Sequence, residues 1–154
     1  MKRIIMIAVL FFITVSISGC GDNNSVYDDD SAIAMTGDNS STKSASSVKV
    51  LKDLSVKATL TGSRTVWRYN ANKETDVPMS YSLSVSEGGR AKLVLITPDD
   101  EVIILTENTD NTTVNEMQSQ TISLKPGVNR IKIVGNDAAK FELKLHIEVG
   151  ELDW

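Results

Sequence analysis

A chain of 154 residues with a formal net charge of −4, one cysteine and one histidine excludes several classes of protein. The acidic balance, with no basic cluster, argues against a nucleic-acid partner. A single cysteine rules out an internal disulfide, and together with one histidine it leaves too few ligands for a usual zinc or copper site. No metal or other cofactor is therefore expected.

In chain order, Lys2 and Arg3 supply a positive start and Ile4 to Ser18 a mostly apolar run. The run is shorter than the ~20 residues a membrane-spanning helix needs. Charge, short apolar stretch and small residues in that order describe a secretory signal, here residues 1–19. The stretch Ile17-Ser18-Gly19-Cys20 resembles the lipobox of bacterial lipoproteins, with Ile17 in place of the commoner leucine. The resemblance implies cleavage before Cys20, a diacylglyceryl thioether on its sulfur, and a chain anchored in the cell membrane facing outward. Two acyl chains hold firmly where one is marginal.

Residues 20–47 are rich in Ser, Asp, Asn, Gly and Thr, with few apolar residues and no period. Such a composition predicts a disordered tether, with a root-mean-square reach of about 30 Å. Asp28-Asp29-Asp30 reads as a solvated acidic patch. From Val48 the composition changes, and 48–154 has the length of one ordinary domain.

Period-2 alternation dominates that domain. Met79, Tyr81, Leu83 and Val85 share one face of a strand and Ser80, Ser82, Ser84 and Ser86 the other. Phe141, Leu143, Leu145, Ile147 and Val149 alternate with Lys140, Glu142, Lys144, His146 and Glu148. Pro98-Asp99-Asp100, Pro126-Gly127 and Gly88-Gly89 supply turn chemistry between strands. Strands are predicted near 49–60, 64–70, 78–86, 90–97, 101–107, 117–124, 128–135 and 139–149. Short antiparallel strands at this spacing predict an all-β fold: a two-sheet β-sandwich of jelly-roll or immunoglobulin-like type, with a closed barrel as the alternative. The stretches ISLKPGVNRIKIVG and AKLVLITPDDEVIIL resemble small surface lipoproteins of Gram-positive bacteria. That resemblance implies fold and location and no activity.

Catalytic signatures are missing. His146 lies on the charged face of its strand and reads as solvent-facing. Asp99-Asp100-Glu101 reads as a charged turn and not as the carboxyl pair of a glycosidase, and no G-x-S-x-G is present. The oxygen-rich loop 107–116 invites calcium, but Thr113 stands where the EF-hand glycine belongs, and a polar loop explains the composition. Two features suggest binding. The hairpin 93–105 is apolar on both faces, so Val94, Ile96, Ile103 and Leu105 form a candidate binding surface unless the chain's own loops or termini cover it. Trp67 and Tyr69 share a face and could stack on sugars, but Trp67 is expected in the core. The sequence thus points to a lipid-anchored, non-enzymatic binding module for a partner protein or a carbohydrate polymer. The second reading is an accessory subunit of a cell-envelope complex.

Overall fold

The computed structural model describes residues 26–114 and 116–154. The signal, Cys20 and the first part of the tether lie outside these residues. A short helix, α1 (Asp30–Ala34), is followed by β1 (Asn39–Val50), β2 (Asp53–Ala71), β3 (Thr75–Glu87), β4 (Arg90–Ile96), β5 (Val102–Thr109), β6 (Gln118–Leu124), β7 (Gly127–Ile147) and β8 (Glu151–Leu152). All pairings are antiparallel.

The fold is an antiparallel β-sandwich whose two sheets are joined through shared strands. β7 is 21 residues long and β2 is 19. Their halves lie in different sheets. The later half of β7 pairs with β3, and its earlier half with β4. β2 follows β7 through both halves, from Asp53↔His146 to Ala71↔Gly127. The first sheet therefore runs β6-β3-β7-β2-β1, and the second runs β5-β4-β7-β2, with β8 on the outer edge of β2.

Sequence reading divides β2 and β7 into two strands each, at Thr61-Gly62-Ser63 and at Asn136-Asp137-Ala138. Those residues are bulges inside continuous strands. The register shifts between Leu60 and Gly62. Asp137 and Ala138 take positive φ of 54° and 55°. Turn formers and bulge formers are the same residue types, because both need unusual backbone angles. β3 and β4 follow suit: they run in one direction along β7, broken only at Gly88-Gly89. Three adjacent strands thus turn one corner together. Gly62 is required there, since a Cβ would sit 2.0 Å from the Asn39 carbonyl oxygen.

The alternation read from β3 and β7 places Met79, Tyr81, Leu83, Val85, Phe141, Leu143, Leu145 and Ile147 in the core between the sheets. Trp67 lies there too, with no exposed surface. Its Nε1 donates to the Val149 carbonyl at 2.7 Å.

The described part of the expected tether is folded, which corrects the 20–47 boundary from Val26 onward. β1 begins at Asn39, and residues 26–38 form a strap across the outer face of the second sheet. Asp29 caps α1, its Oδ1 accepting from the amides of Ser31 and Ala32 at 3.0 and 3.1 Å. Val26, Tyr27, Ile33 and Ala34 are buried against Val94, Ile96 and Val134 as a second apolar cluster. Each large side chain so buried contributes ~1.5–3 kcal/mol of transfer free energy. That burial offsets the ordering cost which composition alone does not cover.

Buried cations complete the strap. Lys132, with no exposed surface, donates from Nζ to the carbonyls of Met35 and Gly37 at 2.7 and 2.8 Å. Arg130 reaches the carbonyls of Ala34 and Met35 at 2.8 and 3.1 Å. Burial pushes the Lys132 ammonium below its ordinary range, and Asp38 opposes the shift. Arg90 and Lys92 lie over the ring of Tyr27 at 4.4 and 4.7 Å. The Tyr27 hydroxyl donates to Glu107 at 2.8 Å.

Candidate functional site: a walled trough on the first sheet

The outward serines of β3 find their neighbours across the ladder. Ser82 pairs with Lys144 and Ser84 with Glu142 on β7, which pair in turn with Ser55 and Lys57 on β2. This stretch of the outer face of the first sheet is thus a floor of hydroxyls and lysines with Glu142 among them, and Asp53, His146 and Glu148 follow at its far end. Two walls rise from it. One is the segment after β5, which folds back over β3: the amide of Val85 donates to the Thr112 carbonyl at 2.8 Å. Ser84 Oγ accepts from the Val114 amide at 2.9 Å and donates to the Val114 carbonyl at 3.3 Å. The other wall is β1, which contributes Ser44 beside its bulge.

Between the walls lies a cleft of about 440 Å³, lined by Ser82, Ser84, Ser86, Lys57, Lys140, Glu142 and Lys144 with Thr59, Thr113 and Val114. A space of about 320 Å³ adjoins it at one end between Val48, Val50 and Met117, with Asp53 and Ser55 in its lining and Lys144 common to both. A further concavity of about 410 Å³ lies on the same face beside Ser80, Ser119, Thr121 and His146. Among the described residues no aromatic ring faces the cleft: Phe141 borders it from β7, but its ring turns to the core and meets Trp154 edge-on at 6.0 Å.

The floor's charges are unequally matched. Glu142 Oε2 is 2.9 Å from Lys57, while its Oε1 is 3.9 Å from Lys144. Lys140 pairs with Glu87 at 3.3 Å. At the far end His146 Nδ1 lies 2.9 Å from Asp53 and Nε2 lies 3.2 Å from Glu148. The hydrogen bond to Asp53 raises its pKa above 6.5, and Glu148 adds to the effect. His146 lies on the charged outer face, as its place in the alternation indicates.

The residues singled out from sequence fare differently. Val94 and Ile96 have no exposed surface, because the strap covers them. They are therefore withdrawn as a binding surface, and the cover comes from the chain's own N-terminal segment. Leu105 packs on the main core, and Ile103 is 37% exposed, next to Ile104 at 52%. The four do not converge on one surface. Cys20 lies outside the described residues. Trp67 is unavailable to a ligand. Asp99 and Glu101 both hold Lys125 at 2.8 Å, and Asp100 meets Arg130 at 3.3 Å. The bond to Lys125 brings the Asp99 carboxyl down to about 2, so it is fixed as an anion and not poised to exchange protons. Within loop 107–116, Thr112 and Val114 are tied to β3 and make the trough wall. Among the described residues no group of three or more His, Cys, Asp or Glu side chains gathers to hold a metal, and no helix is long and apolar enough to cross a membrane. The trough itself is only half readable in the sequence. The serine stripe is visible, but its walls depend on long-range register.

No family model matches the chain, and no curated protein does. Solved structures show a distant likeness. A CBM4 structure shares 11% identity over 69% of this chain and 77% of that one, with a TM-score of 0.36. A carbohydrate binding module of family 29 shares 8% over 73% and 80%, with a TM-score of 0.33. A family 29 module complexed with mannohexaose shares 8% over 73% and 82%, with a TM-score of 0.31.

Proposed function

We propose that this chain is a non-enzymatic binding module, held on the outer side of a cell membrane by a lipid on Cys20, that takes an extended polysaccharide along the trough. The observation that supports this most is the trough's lining. Ser84 is tied to Val114 and Ser86 donates to the Lys140 carbonyl, but Ser44, Thr59, Ser82 and Thr113 also line it with hydroxyls, groups that both donate and accept, on and beside a rigid sheet at strand spacing. A polymer of hydroxyl groups lying across such a floor meets matching partners at each step. The same lining speaks against glycoside hydrolysis, which uses two carboxyls across the bond. Here Glu142 stands alone between two lysines.

Electrophoresis through gels containing soluble polysaccharides tests binding. A retarded wild type and an unretarded Thr59→Trp variant, whose indole fills the cleft, are the expected results. Equal mobility of the two in every gel, with both folded by circular dichroism, rejects the trough as the site. The anchor is tested separately: Cys20→Ser should leave the membrane fraction, and a membrane-bound, unmodified wild type by mass spectrometry rejects it.

A second reading, an accessory subunit docking on a protein, draws on the β1–β2 turn. Leu51 is 91% exposed there, beside Val48 at 64% and Val50 at 58%. Cross-linking that captures one partner through this turn, lost in Leu51→Asp, would favour it.

A further inference from the structure

We propose that the trough selects acidic polysaccharides over neutral ones, with Lys144 receiving the carboxylate of a uronate sugar. The inference rests on the polysaccharide reading above and adds the ligand's charge. Two observations support it. First, neutral pyranoses offer an apolar C–H face that aromatic rings cover, and no ring of the described residues faces this cleft. Recognition is left to hydrogen bonds and charge.

Second, the lining holds Lys57, Lys140 and Lys144 against Glu142 alone, in a chain whose net charge is −4. The lining of the cleft itself thus carries a positive surplus, although Glu87 and Asp53 stand just outside it. Glu142 is committed to Lys57 at 2.9 Å, and Lys140 is drawn outward to Glu87. Lys144, at 3.9 Å from Glu142 and half-exposed, is the least satisfied of the three. It also lines both the hydroxyl-rich cleft and the space at its end, where the one carboxylate in the lining, Asp53, is turned to His146 at 2.9 Å. A carboxylate entering between Ser82 and Ser55, its ladder neighbours, would form a charge-assisted bond with its ammonium and find hydroxyl donors on either side.

The probes are polygalacturonate and the same polymer fully methyl-esterified, which keeps the backbone and hydroxyls and removes the charge. Affinity electrophoresis of the full lipidated protein in detergent micelles gives the apparent affinities. Expected are preference for the acid form, weakening as salt rises, and about tenfold weaker binding for Lys144→Ala, the loss of one charged hydrogen bond. Lys144→Arg should restore much of the affinity. Lys73→Ala, in the β2–β3 turn, should change nothing. Equal binding of acid and ester overturns charge selection and leaves the polysaccharide reading standing. Binding of neither polymer, with folded protein, overturns both. Preference for the acid that survives Lys144→Ala, or falls equally in Lys73→Ala, overturns the role given to Lys144.

Discussion

Trp67 and His146 show how differently two single residues of one sandwich are used. Trp67 fills the core and spends its one polar atom on the Val149 carbonyl. Trp67→Ala should cost about 3–5 kcal/mol, from lost transfer energy and the cavity left behind. Denaturant titration would show it. A shift below 1 kcal/mol would mean the indole is not buried. His146 sits on the surface between two carboxylates. Its protonated form is favoured in the fold, so its contribution is fully present below the unfolded value of about 6.5. It is lost as pH rises through the higher folded value. An NMR titration of the ring should give a midpoint above 6.5, and Asp53→Asn should lower it, because Asp53 is the main cause of the shift. An unmoved midpoint in that variant would contradict the pairing.

Among the elements, the strap and the corner decide the fold's outline. Ile33 has no exposed surface, and Ile33→Ala should destabilise by about 2–5 kcal/mol if the strap is part of the domain. A neutral Ile33→Ala would return 26–38 to the status of a tether. Gly62 has φ of 97° and backbone at 2.0 Å from a would-be Cβ, so Gly62→Ala should cost more than about 1 kcal/mol by thermal melting. The sequence makes some of these elements legible and hides others, for physical reasons. β3 and the later half of β7 announce themselves, because each buries one face along its whole length. β4 reads as two-sided because it is, with Leu93 and Leu95 on the main core and Val94 and Ile96 under the strap. The strap escapes notice because Val26, Tyr27 and Ile33 anchor it as isolated points, with no period to detect. The corner escapes because Thr61-Gly62-Ser63 and Asn136-Asp137-Ala138 carry the residues of a chain reversal and instead bend a strand onward.

For the molecule as a whole, alternation and turn chemistry suffice to reach an antiparallel sandwich. The way strands pass between its sheets is not readable locally, because register is a relation between distant segments. The trough inherits that limit. Its hydroxyl floor follows from the serines of β3, while its walls exist only because Val114 returns to Ser84 and β1 joins β2. The anchor also changes meaning at this scale. With the fold beginning by Val26, a lipid on Cys20 would lie at most about 20 Å of extended chain from the domain. The trough would then work close to the membrane surface, within a shorter reach than the composition of residues 20–47 suggests.

The pairing of β2 with β7 also sets an order of events in time. Residues 72–126 separate the two central strands, and their ladder cannot close until all of these and β7 itself have been delivered. A chain threaded through a membrane N-terminus first presents β2 with β1 beside it and its other edge open. β3 and β4 arrive next; β6 and β5 can take one edge of each, but the edge each turns to β7 stays open until that strand is delivered. Closure therefore comes late and nearly all at once, through contacts far apart in sequence, the kind that puts folding in the millisecond-to-second range. Until then the open edges are templates for wrong pairing. A chain stopped before Gly127 would lack the strand to which β2, β3 and β4 all pair, and should show no cooperative unfolding transition.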